Sequence, residues 1–225
     1  MIQEELLWLQ KSKRDWVLFG DRNTAYFHQK TLTRRRYNRI DAVKAEDGRW
    51  LYDMEDIKQQ ATDFFSKLYT SEQGVYEPYH VCGNFPPIDE YRMTNLANEI
   101  EDGEIQQAIF SMSPLKVPGV DGLHAMFYQT QWHIVGESFC KVIKDVFRSQ
   151  YIPAEINRIL LVLIPKTENP ISFKMYRPIS LCTVAYKTIT KIIVNRLQEI
   201  LPDLIGPHQT SFVPGRHITE NIIVA

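Results

Sequence analysis

Residues 176–197 read YRPISLCTVAYKTITKIIVNRL, and two periods meet in them. Pro178 excludes the α region from the residue before it, so Arg177 is held on extended backbone. After Cys182 and Thr183 the spacing changes. At 100° per residue, Ala185, Tyr186, Ile189, Ile192, Ile193, Leu197 and the following Ile200 share one arc. Lys187, Lys191, Asn195 and Gln198 share the opposite one. An extended segment therefore feeds an amphipathic helix whose lysines form a solvated face or meet phosphate. Arg196 projects into the apolar arc, where an unpaired ion is costly, so it requires a partner.

Immediately upstream, RILLVLIPK (158–166) is a short apolar run read as a buried strand ending at Pro165 and Lys166. With TENPISFKMY between them, Lys166 and Arg177 belong to a hairpin-like pair of segments. A guanidinium on a stiff mount suits bidentate grip of phosphate or carboxylate. Surface charge beside turns is the plainer alternative. PLKVPGVDGL (114–123) is a structured loop in which Asp121 caps a turn. Residues 124–149 read as helix broken near Trp132 to Gly136, and Asp102 to Met112 as a short helix.

In the N-terminal third, helices are expected over 3–18 and from Asn23 or Thr24 to about Arg36. Asp47-Gly48 marks a hairpin with a two-residue turn. Asp53, with Asp56 three residues on, opens a further helix carrying Ile57, Ala61, Phe64, Phe65 and Leu68 at helical spacing. RRRYNR (34–39) combines cations with an aromatic ring. That pairing holds single-stranded nucleic acid through phosphate contact and stacking, or else complements the helix dipole.

Charge is segregated. Residues 1–50 carry 11 Lys/Arg against 7 Asp/Glu, residues 51–110 carry 3 against 12, and residues 111–225 carry 12 against 8. A polyanion would meet the ends of the chain and avoid the middle. Cys82, Cys140 and Cys182 are isolated, and no histidine has metal-ligand spacing. Phosphate-loop, dinucleotide and nucleophile-elbow motifs are absent, as is any apolar run long enough for a membrane span. The fold class expected is α+β, mostly helical. A helical extension with a hairpin occupies 1–69, a linker 70–92, and a second domain 93–225.

The ordered phrases KVPGVDGL, LLVLIPK, YRPISLCTVAYKTITKIIVNRL and HQTSFVPGRHITENIIVA, preceded by WVLFGDRNTAYFHQKTLTRRRYNRI and DGRW, resemble the front part of the reverse transcriptase of LINE-type (non-LTR) retrotransposons of the plant kind. The family pattern runs approximately KAPGPDG, LIPK, RPISLCNVxYKIISKIIANRL and QxGFVPGRxIxDNIxxA. Val117, Val120, Thr183 and Ser211 depart from it. The resemblance implies the fingers and the beginning of the palm of a right-hand polymerase. Within it, Lys166 and Arg177 would meet the triphosphate of the incoming nucleotide. Gln209, Arg216 and Arg34, Arg35 and Arg36 would contact template or brace the fingers. RNA template, DNA primer and dNTP are the implied partners, without a membrane. Mg²⁺ is implied for the complete enzyme but is not expected to bind this chain alone, because the family's metal-binding aspartates fall beyond position 225. The chain is thus expected to be an inactive fragment of an intracellular enzyme. A non-catalytic RNA- or DNA-binding remnant, or a helical interaction protein, is the alternative.

Overall fold

The computed structural model describes residues 24–70, 87–206, 209 and 213–216. The expected helix over 3–18 and most of the 70–92 segment lie outside these residues. The fold is α+β and mostly helical, with nine α-helices and two two-stranded sheets among the described residues. The chain divides into two compact units that do not follow chain order. One comprises Met1–Glu77 with Leu161–Ser180, and the other Pro78–Leu160 with Leu181–Ala225.

Among the described residues of the first unit, helix α1 (Thr24–Asn38) comes first; it carries Lys30, Arg34, Arg35 and Arg36 and no acid. Strands β1 (Val43–Lys44) and β2 (Trp50–Leu51) pair antiparallel, Val43 opposite Leu51. Their loop has three residues, Glu46-Asp47-Gly48, rather than the two expected. The Gly48 N–H donates to the Ala45 carbonyl at 3.0 Å, and the Ala45 N–H to the Arg49 carbonyl at 2.8 Å. A two-residue turn of the Asp-Gly kind needs positive φ at both central residues. Gly48 has it, at 89°, and Asp47 does not. Asp47 instead accepts from the Arg49 N–H at 3.0 Å. Helix α2 (Met54–Tyr69) starts as expected: Asp53 Oδ1 accepts from the N–H groups of Glu55 and Asp56. Ile57 and Phe65 are buried. Leu68 is 60% exposed, because the last turn of the stripe runs past the core.

That core is small and draws on distant sequence. Val43 and Ile57 pack with Phe173, flanked by Leu51, Phe64 and Leu163. The Phe64 and Phe173 rings lie 5.8 Å apart. Strands β3 (Leu160–Pro165) and β4 (Tyr176–Leu181) form the second sheet. The Lys44 N–H donates to the Ile171 carbonyl at 2.8 Å, tying the connection between these strands to β1. The apolar run at 158–166 is a strand, but it is not buried. Leu163 packs on the core and Pro165 is buried, whereas Val162 is exposed. A two-stranded hairpin has one face covered and leaves the other uncovered.

The second unit is helical: α3 (Glu90–Ala97), α4 (Asp102–Phe110), α5 (Ala125–Thr130), α6 (Trp132–Ser149), α7 (Ala154–Asn157), α8 (Val184–Gln198) and α9 (Leu201–Leu204). Helix α3 was not anticipated. It buries no residue, and its stripe is short, with Met93, Leu96 and Ala97 at helical spacing; Asp89 caps the Tyr91 N–H. The core joins Ile105, Ala108 and Ile109 of α4, Phe139, Ile143 and Val146 of α6, and Ile189 and Ile192 of α8. The break between α5 and α6 falls at Gln131 (φ −102°, ψ 18°), one residue before the expected interval. Gly136 does not break α6. A Cβ there would stand 2.9 Å from the Trp132 ring, so Gly136 seats the indole one turn earlier on the same helix.

Helix α8 runs as its period predicts, capped by Thr183, whose hydroxyl accepts from the Tyr186 N–H at 3.2 Å. Its buried stripe is narrower than the arc. Val184, Thr188, Ile189 and Ile192 are inside, while Ile193 and Leu197 are exposed. Arg196 finds the partner it needs. Its Nε and Nη2 donate to the two Glu104 carboxylate oxygens at 2.8 Å each. The rest of the fork donates to the carbonyls of Leu96, Asn98 and Glu99.

Candidate functional site

The β3–β4 hairpin carries both cations singled out by the sequence. In β4 the side chains alternate: Tyr176 is buried, and Arg177 and Ile179 are exposed. Pro178 fixes the backbone that bears Arg177. No described residue makes a hydrogen bond or ion pair with its guanidinium. Lys166 follows β3. Its N–H donates to the Met175 carbonyl at 2.8 Å, and its ammonium to the Lys174 carbonyl at 2.8 Å. An ammonium has three donors, so two remain on a head group held at the hairpin end. The structure thus places Lys166 and Arg177 on one hairpin, whose strands also carry the exposed Val162 and Ile179. A preorganised fork and a held point charge can grip an oligophosphate, and the exposed aliphatic side chains can lie under a planar group.

The remaining residues named from the sequence are placed apart from that pair. Arg34, Arg35 and Arg36 stand in the last turns of α1. Arg35 and Arg36 are exposed, and their guanidinium groups have no partner among the described residues. Gln209 is exposed, and its N–H donates to the Gly206 carbonyl at 3.2 Å. Arg216 is engaged locally. Its two terminal nitrogens donate to the carbonyls of Gly206, Gln209, Pro202 and Ile205 at 2.6–2.9 Å. The guanidinium therefore gathers the turn that follows α9.

A second polar cluster was missed by sequence reasoning. The 114–123 loop lies on the first turn of α8. A Cβ on Gly119 would fall 2.5 Å from the Thr183 nitrogen and 2.6 Å from the Cys182 carbonyl carbon. Lys187, expected on a solvated face or at phosphate, is half-buried and donates to the Val117 carbonyl at 2.7 Å. Burial lowers the pKa of its ammonium, and nearby Lys116 lowers it further. Asp121 accepts from the Leu123 N–H at 3.2 Å, the turn-capping role expected of it. The two prolines and two glycines in ten residues were the available signal, but nothing local says which element the loop meets.

The Mg²⁺ implied by the resemblance needs clustered carboxylates. Among the described residues no group of three or more His, Cys, Asp or Glu is placed to hold a metal ion. No described helix is long and apolar enough to cross a membrane.

The chain is similar to proteins of transposable elements. An uncharacterized 149 kDa protein of transposon TX1 from Xenopus laevis is 31% identical over 217 residues, which is 95% of this chain and 16% of that protein. A 115 kDa protein of the type-1 retrotransposable element R1DM from Drosophila melanogaster is 26% identical over 125 residues, 53% of this chain and 12% of that protein. The chain thus spans less than a fifth of either relative. No family model matches it.

Proposed function

We propose that this chain is the fingers and the start of the palm of a reverse transcriptase from a non-LTR retrotransposon, and that its β3–β4 hairpin receives the triphosphate of the incoming nucleotide. The observation that carries the reading is Arg177: an exposed fork without a partner among the described residues, on proline-fixed backbone, on the same hairpin as Lys166. Similarity to transposable-element proteins supports it. A triphosphate needs cations set in place before it arrives, because donors that need no reorganisation stabilise charge best. In this reading Arg177 binds and orients the phosphates, and Lys166 adds a held positive charge. Arg216 braces the segment behind α9, Gln209 lies on that segment, and the basic end of α1 meets template.

The test is steady-state kinetics of primer extension by this chain joined to the downstream palm of a related element. Arg177→Ala should lower kcat/KM for nucleotide about ten- to a hundredfold, the worth of a charge-assisted hydrogen bond of roughly 1.5–3 kcal/mol. Primer-template affinity should change little. Arg177→Lys should recover part of the loss, since an ammonium keeps the charge and lacks the fork. Lys166→Ala should behave like Arg177→Ala. Equal losses in nucleotide use and primer-template affinity would make Arg177 a template contact instead.

A further inference from the structure

A groove of about 470 Å³ in the first unit lies between the end of α1, the β1–β2 hairpin and the connection from β3 to β4. Arg36, Tyr37, Trp50 and the turn Glu168-Asn169-Pro170 line it, with Arg39 and Asp41. Three features set it apart from an ordinary surface cleft. Two aromatic rings stand open in it, Tyr37 at 50% and Trp50 at 46% exposure, and no other ring packs on either among the described residues. Arg36 brings a guanidinium without a partner among the described residues. The walls are held in place. Lys44 N–H fastens Ile171 to β1, and Asn169 sits at φ 54°, a left-handed conformation that asparagine tolerates better than most residues.

We infer that this groove binds an unpaired stretch of polynucleotide, with a base stacked on Trp50 or Tyr37 and an adjacent phosphate on Arg36. Open aromatic rings beside cations are the arrangement that holds single strands without reading sequence, because every base has a π-face. Mixed charge inside the groove fits a base better than a bare phosphate chain. Arg39 and Asp41 pair at 2.6 Å and neutralise each other. Glu168 offers an acceptor to base N–H groups. Attraction for the strand comes from α1, with its four cations and no acid. A duplex hides its base faces and does not satisfy the site. The inference rests on the reading that the chain handles nucleic acid, and it adds Trp50, Tyr37 and the 168–170 turn as the place where an unpaired strand lies.

The test uses the whole chain and fluorescent oligonucleotides of equal length: single-stranded RNA, single-stranded DNA and the corresponding duplexes, titrated at several salt concentrations. Either single strand should bind more tightly than its duplex, and the tighter of the two identifies the natural strand. Trp50→Ala should weaken single-strand binding about tenfold, in line with the worth of one base–aromatic stack. Trp50→Phe should recover most of it. Arg36→Ala should weaken binding and reduce the log–log salt slope by about 0.7, the value for one phosphate on a single strand. Lys141→Ala removes an exposed charge from the second unit and should leave affinity within about twofold. Arg36 is exposed, so its truncation tests the groove even if Trp50→Ala disturbs the small hairpin. The inference is overturned if duplex binds as tightly as single strand, if Arg36→Ala and Trp50→Ala both bind like the parent chain, or if single strands do not bind at low salt. Intact groove binding with a failed nucleotide-kinetics test would remove the polymerase reading and leave the groove. The converse result would remove the groove alone.

Discussion

At the scale of single residues, two glycines of one loop separate steric contact from backbone strain. Gly119 has no room: its missing Cβ would overlap main-chain atoms of Cys182 and Thr183, which cannot swing aside as a side chain can. Gly122 has open space around it but sits at φ 69°. Gly119→Ala is therefore expected to cost about 2–3 kcal/mol through overpacking, and Gly122→Ala about 1–2 kcal/mol through left-handed strain. Urea unfolding of the two variants checks the order, and a larger loss at Gly122 would refute the close approach. Cys140 makes a pH prediction. Burial, and after it the neighbouring Asp102, raise its thiol to about 11, with Lys144 opposing. A raised folded-state pKa means the folded chain keeps a proton that the unfolded chain gives up near its ordinary value of 9.0. Stability should thus fall as pH climbs from about 9 to about 11, and Cys140→Ala should flatten that part of the curve. Urea midpoints across this range would show it. Neither effect could be read from the sequence. Gly119 was legible as a turn residue, but its neighbour lies more than sixty positions away.

At the scale of elements, the decisive device is the Arg196 fork, which joins α8 to α4 and to the end of α3. The Arg196 side chain is 17% exposed and that of Glu104 23%. Both ions are therefore largely out of water, and removing one leaves the other poorly solvated. Glu104→Gln keeps the shape and loses the charge. Arg196→Met loses five hydrogen bonds, three of them to carbonyls that then lack donors. Arg196→Met should cost about 3 kcal/mol and Glu104→Gln less, since breaking a buried pair costs roughly 3–5 kcal/mol and this one is only partly buried. Hydrogen exchange should show the loss concentrated in α3 and the start of α4. Uniform destabilisation would mean that the fork does not organise that junction. The need for a partner was visible in the helix projection of 184–198. The identity of the partner was not, because Glu104 is 92 residues away and carries no mark in its own segment.

At the scale of the molecule, the first unit is discontinuous. Its core joins Val43 and Ile57 to Phe173, which is 6% exposed. Phe173→Ala should therefore loosen α2 and the β1–β2 hairpin, more than a hundred positions upstream in sequence. The expected cost is about 3 kcal/mol, within the range for truncating a buried aromatic. Amide exchange should accelerate in α2 and stay unchanged in α4 and α6. If protection falls first in α4 and α6, the division into units is wrong. The pairing of the upstream segment with the β3–β4 hairpin also brings Trp50 and Arg36 to one groove, although Trp50 drew no attention as a residue of the DGRW phrase.

The sequence by itself determined the local geometry. Proline placed Arg177 in a strand, the helical period located α2 and α8, Asp53 capped its helix, and a charge in an apolar arc required a counter-ion. These rest on sterics and hydrogen bonds within a few residues, so a short window contains all the partners. Tertiary structure alone decided that 161–180 packs with the N-terminal segment, which face of β3 stays open, that Lys187 turns inward under the 114–123 loop, and that Glu104 answers Arg196. In each of these the energy depends on atoms brought together from distant positions, and burial is a property of the folded neighbourhood rather than of the residue.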